Sequence, residues 1–158
     1  MNSSASNGSV SQRLAELGIE LPPVVAPLAS YVPAVRSGQY VYTSGQVPMI
    51  DGALPATGKV GAEVLPEDAA HYARVCALNA LAAVHALVGI DSVIRVVKVV
   101  GFVASSPDFT GQPAVVNGAS NLLGEVFGEA GAHARSAVGV AVLPMDAPVE
   151  VELIVEVG

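Results

Sequence analysis

The chain has 158 residues, enough for one domain, and its composition is apolar, with 52% hydrophobic against 13% charged residues. That exceeds what the interior of a small monomer consumes, so an oligomer is expected. A formal net charge of −7, seven scattered Lys and Arg, 4% aromatics and no Trp argue against a phosphate-backbone groove or a base-stacking platform, so no nucleic-acid partner is expected.

The single cysteine, Cys76, allows no internal disulfide and no cysteine-rich metal pattern, which fits a reducing cytoplasm. The opening MNSSASNGSVSQ has no apolar core and reads as no signal peptide. Apolar runs are broken by Gly, Pro or charge before ~18 residues, so no membrane partner is expected.

Residues 1–8 are rich in Ser, Asn and Gly and are expected to be disordered. Val10, Leu14 and Leu17 set a short amphipathic helix over Ser9–Leu17, stopped by Gly18. The stretch LPPVVAPLASYVPAV holds four prolines and reads as extended chain. Residues 1–20 thus form an N-terminal extension with a short helix, and 21–158 a single domain. Ala34–Arg36 and Tyr40–Ser44 make a hairpin through Ser37-Gly38-Gln39, and residues 50–61 are loop.

Pro66-Glu67-Asp68 opens a long helix, with Ala69, Ala73, Cys76, Ala80, Val84 and Leu87 at spacings of three and four and Gly89 as the stop. Val93–Ala104 is β-branched and reads as a central strand. A second helix spans about Gln112 to Phe127, starting at Pro113, and two strands follow at Arg135–Leu143 and Val149–Val157. The last alternates Val149, Val151, Leu153, Val155 and Val157 against Glu150, Glu152, Ile154 and Glu156. The order ββαβαββ implies an α+β sandwich, a mixed sheet with two helices on one face.

Arg135 shares its strand face with Ala137, Gly139 and Ala141, while Ser136, Val138, Val140 and Val142 occupy the other. The valine face is the expected partner of the helices. The tiny residues around Arg135 would let a chain or ligand approach, and Arg suits a forked grip on a carboxylate. The plain alternative is a solvated arginine at a strand start. Glu150 and Glu152 are either an ordinary solvated strand face or carboxylates that position a water or take a proton.

If the last two strands form a hairpin, Arg135 lies near Val157 and Glu150 near Val142, roughly 23 Å apart at ~3.3 Å per residue. A shared site would then need Arg135 of one subunit to face Glu150 of a neighbour. Ser44 and Gly45 end the second strand, with a hydroxyl and room for close backbone approach, or simply turn the chain. Tyr31 is a pocket lid or a packed loop aromatic. Asn117 in mid-helix is unfavourable by propensity, which hints at a side-chain role. His71 and His85 do not form a metal pair, and His133 lies on the Arg135 face, where it could line a pocket. No nucleotide loop, nucleophile elbow or Cys/His pair is present, so no metal or other cofactor is expected.

Three blocks resemble the RidA/YjgF family, over about Pro27 to Val157. They are Ser30-Tyr31-Val32-Pro33-Ala34-Val35 with Tyr42-Thr43-Ser44-Gly45-Gln46-Val47-Pro48, then Asp108-Phe109 with Val115-Val116-Asn117, and Ala134-Arg135-Ser136 with Leu143-Pro144 and Val149-Glu150-Val151-Glu152. The last is the most specific. The resemblance implies a chorismate-mutase-like fold, a homotrimer with clefts between subunits, and cofactor-free hydrolysis of reactive 2-imino or enamine acids to 2-keto acids and ammonia. It implies that Arg135 binds the substrate carboxylate, Ser44 and Gly45 help position it, Glu150 orients the attacking water, Tyr31 closes the cleft and Asn117 lies nearby.

The chain departs from the pattern at Ala137, where the family often has Cys, at Val32 and Pro33, and at His133, and its N-terminal helix and 50–61 loop are longer. These mark a separate branch. The rival readings are a non-catalytic small-carboxylate sensor using the same cleft, and an endoribonuclease, against which the negative charge counts.

Overall fold

Ser9 starts the first helix, α1 (Val10–Glu16), through a capping box: its Oγ accepts from Gln12 N, and Gln12 Oε1 accepts from Ser9 N. Leu14 is buried with Val10 and Leu17 beside it, and Ser11 donates to Asp91 through both its N–H and its hydroxyl. Gly18 ends the helix with φ 68°. The structure is a computed structural model and describes residues 8–27 and 29–158. The disorder expected of residues 1–8 therefore lies outside the described residues, Gly8 apart.

The remaining elements are β1 (Ala34–Ser37), β2 (Tyr40–Thr43), α2 (Pro66–Val88), β3 (Val93–Ala104), α3 (Gln112–Phe127), β4 (Ala134–Val140) and β5 (Val149–Val157). The sheet order is β1-β2-β5-β3-β4, with β3 and β4 parallel and every other pair antiparallel. Helices α2 and α3 pack on one face, so the expected mixed-sheet α+β architecture holds. The alternation of β5 holds as well: Val149 to Val157 are at most 1% exposed, and the glutamate row is half-buried on the other face. Helix α2 is long and apolar enough for a bilayer span, and half of its most apolar window is buried within the fold. Leu87, expected on its inward face, is exposed.

Two strand expectations fail. β4 and β5 do not form a hairpin, because β3 lies between them. The β3–α3–β4 unit is a strand–helix–strand crossover, which returns its second strand parallel to the first. The link after β4 does not turn tightly. Met145 and Asp146 take left-handed φ values of 61° and 56°, and the chain passes the end of β3, where Ala104 N donates to Pro148 O. The valine face of β4 also does not meet the helices. Arg135, Ala137 and Gly139 pair with Val99, Gly101 and Val103, all on the helix side, and Val138 and Val142 are exposed.

The reason is distance. Helix α3 lies so near the sheet that a Cβ on Gly101 would collide with Val116, and one on Gly139 would sit 2.8 Å from Gln112 Nε2. Gly101 and Gly139 are the sheet positions it presses on. The two helices are equally close, since a Cβ on Gly118 would fall on the Ala70 carbonyl. Gly118→Ala should therefore cost ~1–3 kcal/mol. Gly124→Ala, in the same helix with open space around it, should gain about 0.5–1 kcal/mol. Urea unfolding of the two variants tests this, and equal effects would show that the helices can move apart freely.

Candidate functional site

The candidate residues gather in two groups on opposite faces of the sheet. The first surrounds Arg135. From the edge strand β4 its side chain rises toward α3, where Nη1 donates to Asn117 Oδ1 (2.7 Å) and Ser120 Oγ (3.2 Å) and Nη2 to the Pro113 carbonyl (3.4 Å). Asn117 and Ser120 are three apart, so one helix face presents both. The mid-helix Asn117 thus has a task, as its unfavourable propensity suggested.

Ser120 Oγ lies 2.8 Å from His133 Nε2, and His133 Nδ1 lies 2.6 Å from the Gly131 carbonyl. A carbonyl only accepts, so Nδ1 carries a proton. Ala137 follows Arg135 on the same face and packs against the core. All three acceptors on the guanidinium are neutral. Among the described residues the ion pairs are Arg13–Glu16, Lys59–Asp146 and Arg74–Glu125, and none involves Arg135.

The second group surrounds Glu150. After Thr43 the chain leaves β5 and rejoins it at Gln46, which exchanges both backbone hydrogen bonds with Val151. Thr43 Oγ1 fills the gap by accepting from Leu153 N. The detour lays Gly45 on Glu150, where a Cβ would come 2.8 Å from the carboxyl carbon, so any larger residue would displace that carboxyl. Ser44 donates its hydroxyl to Val32 O and its N–H to Pro33 O, which ties the Tyr31 segment to the strand end. Tyr31, Gly45, Gln46, Met49 and Glu150 then border a cavity of about 250 Å³.

The carboxyl of Glu150 is held above the usual glutamate range, first by burial and then by repulsion from Glu152. Beneath it the lone Cys76 is fully buried, and that burial pushes its thiol well up, which leaves it unreactive.

The ladder corrects the 23 Å expected from a hairpin. Arg135 aligns with Val99, and Glu150 with Phe102. They stand about 10 Å apart along the strands and about 10 Å across them, facing opposite ways. Within one chain Tyr31, Gly45 and Glu150 come together with Ser44 beside them, and Arg135, Asn117 and His133 come together with Ala137 beside them, but the two sets do not meet. Ser120 was not foreseen. Its signal was the i, i+3 pairing with Asn117, which acquires meaning once α3 is known to lie on β4.

The family described as YjgF/chorismate mutase-like, putative endoribonuclease, matches residues 11–157. The chain belongs to that family. Its fold is accordingly the chorismate-mutase-like α+β fold. The chain is 47% identical over 154 residues to Protein TCP17 of Trypanosoma cruzi, covering 96% of each. It is also similar to the crystal structure of Atu1372 from Agrobacterium tumefaciens, a protein of unknown function, at 47% identity and TM-score 0.87, over 94% of this chain and 92% of that one. Escherichia coli TdcF, solved with bound serine, is a YjgF-like neighbour at 28% identity and TM-score 0.60, over 87% and 93%.

The raised Glu150 carboxyl has a consequence for stability. The folded chain holds this proton more tightly than the unfolded chain, so stability falls as pH rises from the unfolded to the folded value and levels off above it. Glu150→Gln should raise the urea midpoint more near pH 7 than near pH 4. A gain independent of pH would show that Glu150 titrates normally.

Proposed function

We propose that this YjgF-family chain hydrolyses reactive 2-imino or enamine acids to 2-keto acids and ammonia, with Arg135 binding the substrate carboxylate. One observation carries the reading. A guanidinium is fixed by three neutral acceptors and has no carboxylate of its own among the described residues, in a chain of net charge −7. A cation so oriented is matched to an anion supplied by a ligand. The likeness to TdcF, solved with serine, is in keeping with a small amino-acid-derived carboxylate.

The reaction asks little of the protein. The carbon of a protonated imine is already electrophilic. Water adds to it, the carbinolamine collapses, and ammonia leaves with the carbonyl formed. Glu150 orients the water, and its raised affinity for a proton suits transfer between water and the departing nitrogen. Fixing the carboxylate and the water supplies the proximity. Gly45 gives room beside Glu150, Ser44 holds the Tyr31 segment, and Tyr31 closes the cleft.

Because Arg135 and Glu150 face opposite ways in one chain, the reading requires a homotrimer in which Arg135 of one subunit meets Glu150 of a neighbour. The exposed Tyr42 and Val138 on the outer side of the sheet support burial against another copy. A carboxylate sensor would use the same cation and show no turnover. The acidic balance counts against an endoribonuclease despite the family's descriptive name.

The test generates 2-iminopropionate or 2-iminobutyrate in situ and follows keto-acid release. Wild type should accelerate release, and Arg135→Ala should lose roughly 10- to 100-fold, the scale of one or two charge-assisted hydrogen bonds. Equal rates for the two would reject the role of Arg135, and no acceleration over buffer across several imino acids would favour the sensor. Full activity in a purified monomer would overturn the shared cleft.

A further inference from the structure

A second cavity, of about 730 Å³, lies behind the one at Glu150, between the proline-rich segment after α1, the Ile50–Ala53 turn and the outer face of α2. Its volume falls within the ~300–1,000 Å³ typical of small-molecule sites. The walls are mainly apolar, with Val24 and Val25 on one side and Val75 and Leu78 on the other. The turn is rigid. Ile50 and Ala53 exchange both backbone hydrogen bonds, and Asp51 and Gly52 both take positive φ.

Asn79 borders the same cavity, only 1% exposed on an otherwise apolar stretch of α2. Its Nδ2 donates to the carbonyls of Val47 (3.2 Å) and Met49 (3.1 Å), which fixes the orientation of the amide. Both N–H groups are thereby satisfied, and among the described residues no donor reaches Oδ1. Among the described residues no fully occluded side-chain oxygen lacks a partner, so Oδ1 retains access, and the cavity that Asn79 borders is this one. A buried acceptor without a donor in the wall of an apolar slot calls for a ligand that brings one. The acidic residues in the lining are Glu20 and Asp51, His71 also lines it, and no Lys or Arg does.

We propose that this cavity binds a small apolar molecule carrying an amine, with the amine N–H donating to Asn79 Oδ1 and its positive charge offset by Glu20 and Asp51. The site is distinct from the Arg135 and Glu150 groups, and it stands whether or not imine hydrolysis is found.

Methyl-labelled protein tests it through Val75 and Leu78, which border this cavity and not the one at Glu150. The probe is 2-phenylethylamine, and 3-phenylpropanoate is the control with a similar body and opposite charge. The amine should shift both methyl signals saturably, and the carboxylate should not. The exposed rim pair Glu20→Gln with Asp51→Asn should weaken the amine roughly three- to five-fold, the scale of screened surface pairs. Val75→Trp, which fills the slot from the half-buried side of α2, should abolish the Leu78 response while keeping the thermal melt of the wild type. Equal binding of amine and carboxylate would overturn the proposal, as would an undiminished Leu78 response in Val75→Trp. Shifts that follow protein concentration instead of probe would assign the groove to a second copy of the chain and overturn it too.

Discussion

The spacing between the helix layer and the sheet governs the rest of the molecule. Gly118 lets α3 rest on the backbone of α2 at Ala70, and Gly101 lets Val116 settle onto β3. The inward face of β4 carries Ala137 and Gly139, the latter under Gln112 of α3. Arg135, on the same face, cannot lie flat beneath α3. Its guanidinium finds Asn117, Ser120 and the Pro113 carbonyl along one side of the helix. Neutral oxygens satisfy its donors without cancelling its charge, so the packing that excludes bulk also leaves a positive spot on an acidic protein.

β5 joins this layer to the other half of the candidate site. Its inward row of valines closes the core, and its outward row carries Glu150 and Glu152. The detour between Thr43 and Gln46 brings backbone against Glu150 at the one residue without a Cβ, and the same detour lets Ser44 hold the Tyr31 segment. Burial and the neighbouring carboxylate then act on Glu150 in the same direction, both favouring its protonated form. A single chain thus carries this carboxyl on one face of the sheet and a guanidinium without a carboxylate partner on the other, with β3 between them.

Much of this was legible in the residues. Proline at the start and glycine at the stop set the bounds of α2, and strict alternation set the buried face of β5. Asn117 stood out because a helix interior disfavours it. The neighbours of β4 were not legible, since a short strand carries the same alternation whichever strand it pairs with. The inward face was misjudged for a related reason. The rule that larger apolar side chains point to the core fails where helix side chains press onto sheet glycines, and the glycines that record this closeness lie on three different elements. Asn79 gave no signal, because one amide in an alanine-rich helix looks like any other until its hydrogen bonds are known.

Val25, Ala26 and Met49 border both the cavity at Glu150 and the larger one behind it, so the two share a wall. That wall is stiff. Pro22, Pro23 and Pro27 restrict the backbone on one side, and the two bonds from Asn79 pin residues 47 and 49 on the other. A shared wall held at both ends transmits displacement better than it absorbs it, because neither strip can yield without breaking a hydrogen bond to Asn79 or moving a proline out of its permitted φ. A change in either strip would therefore be felt at the Glu150 cavity without touching the residues at its carboxyl.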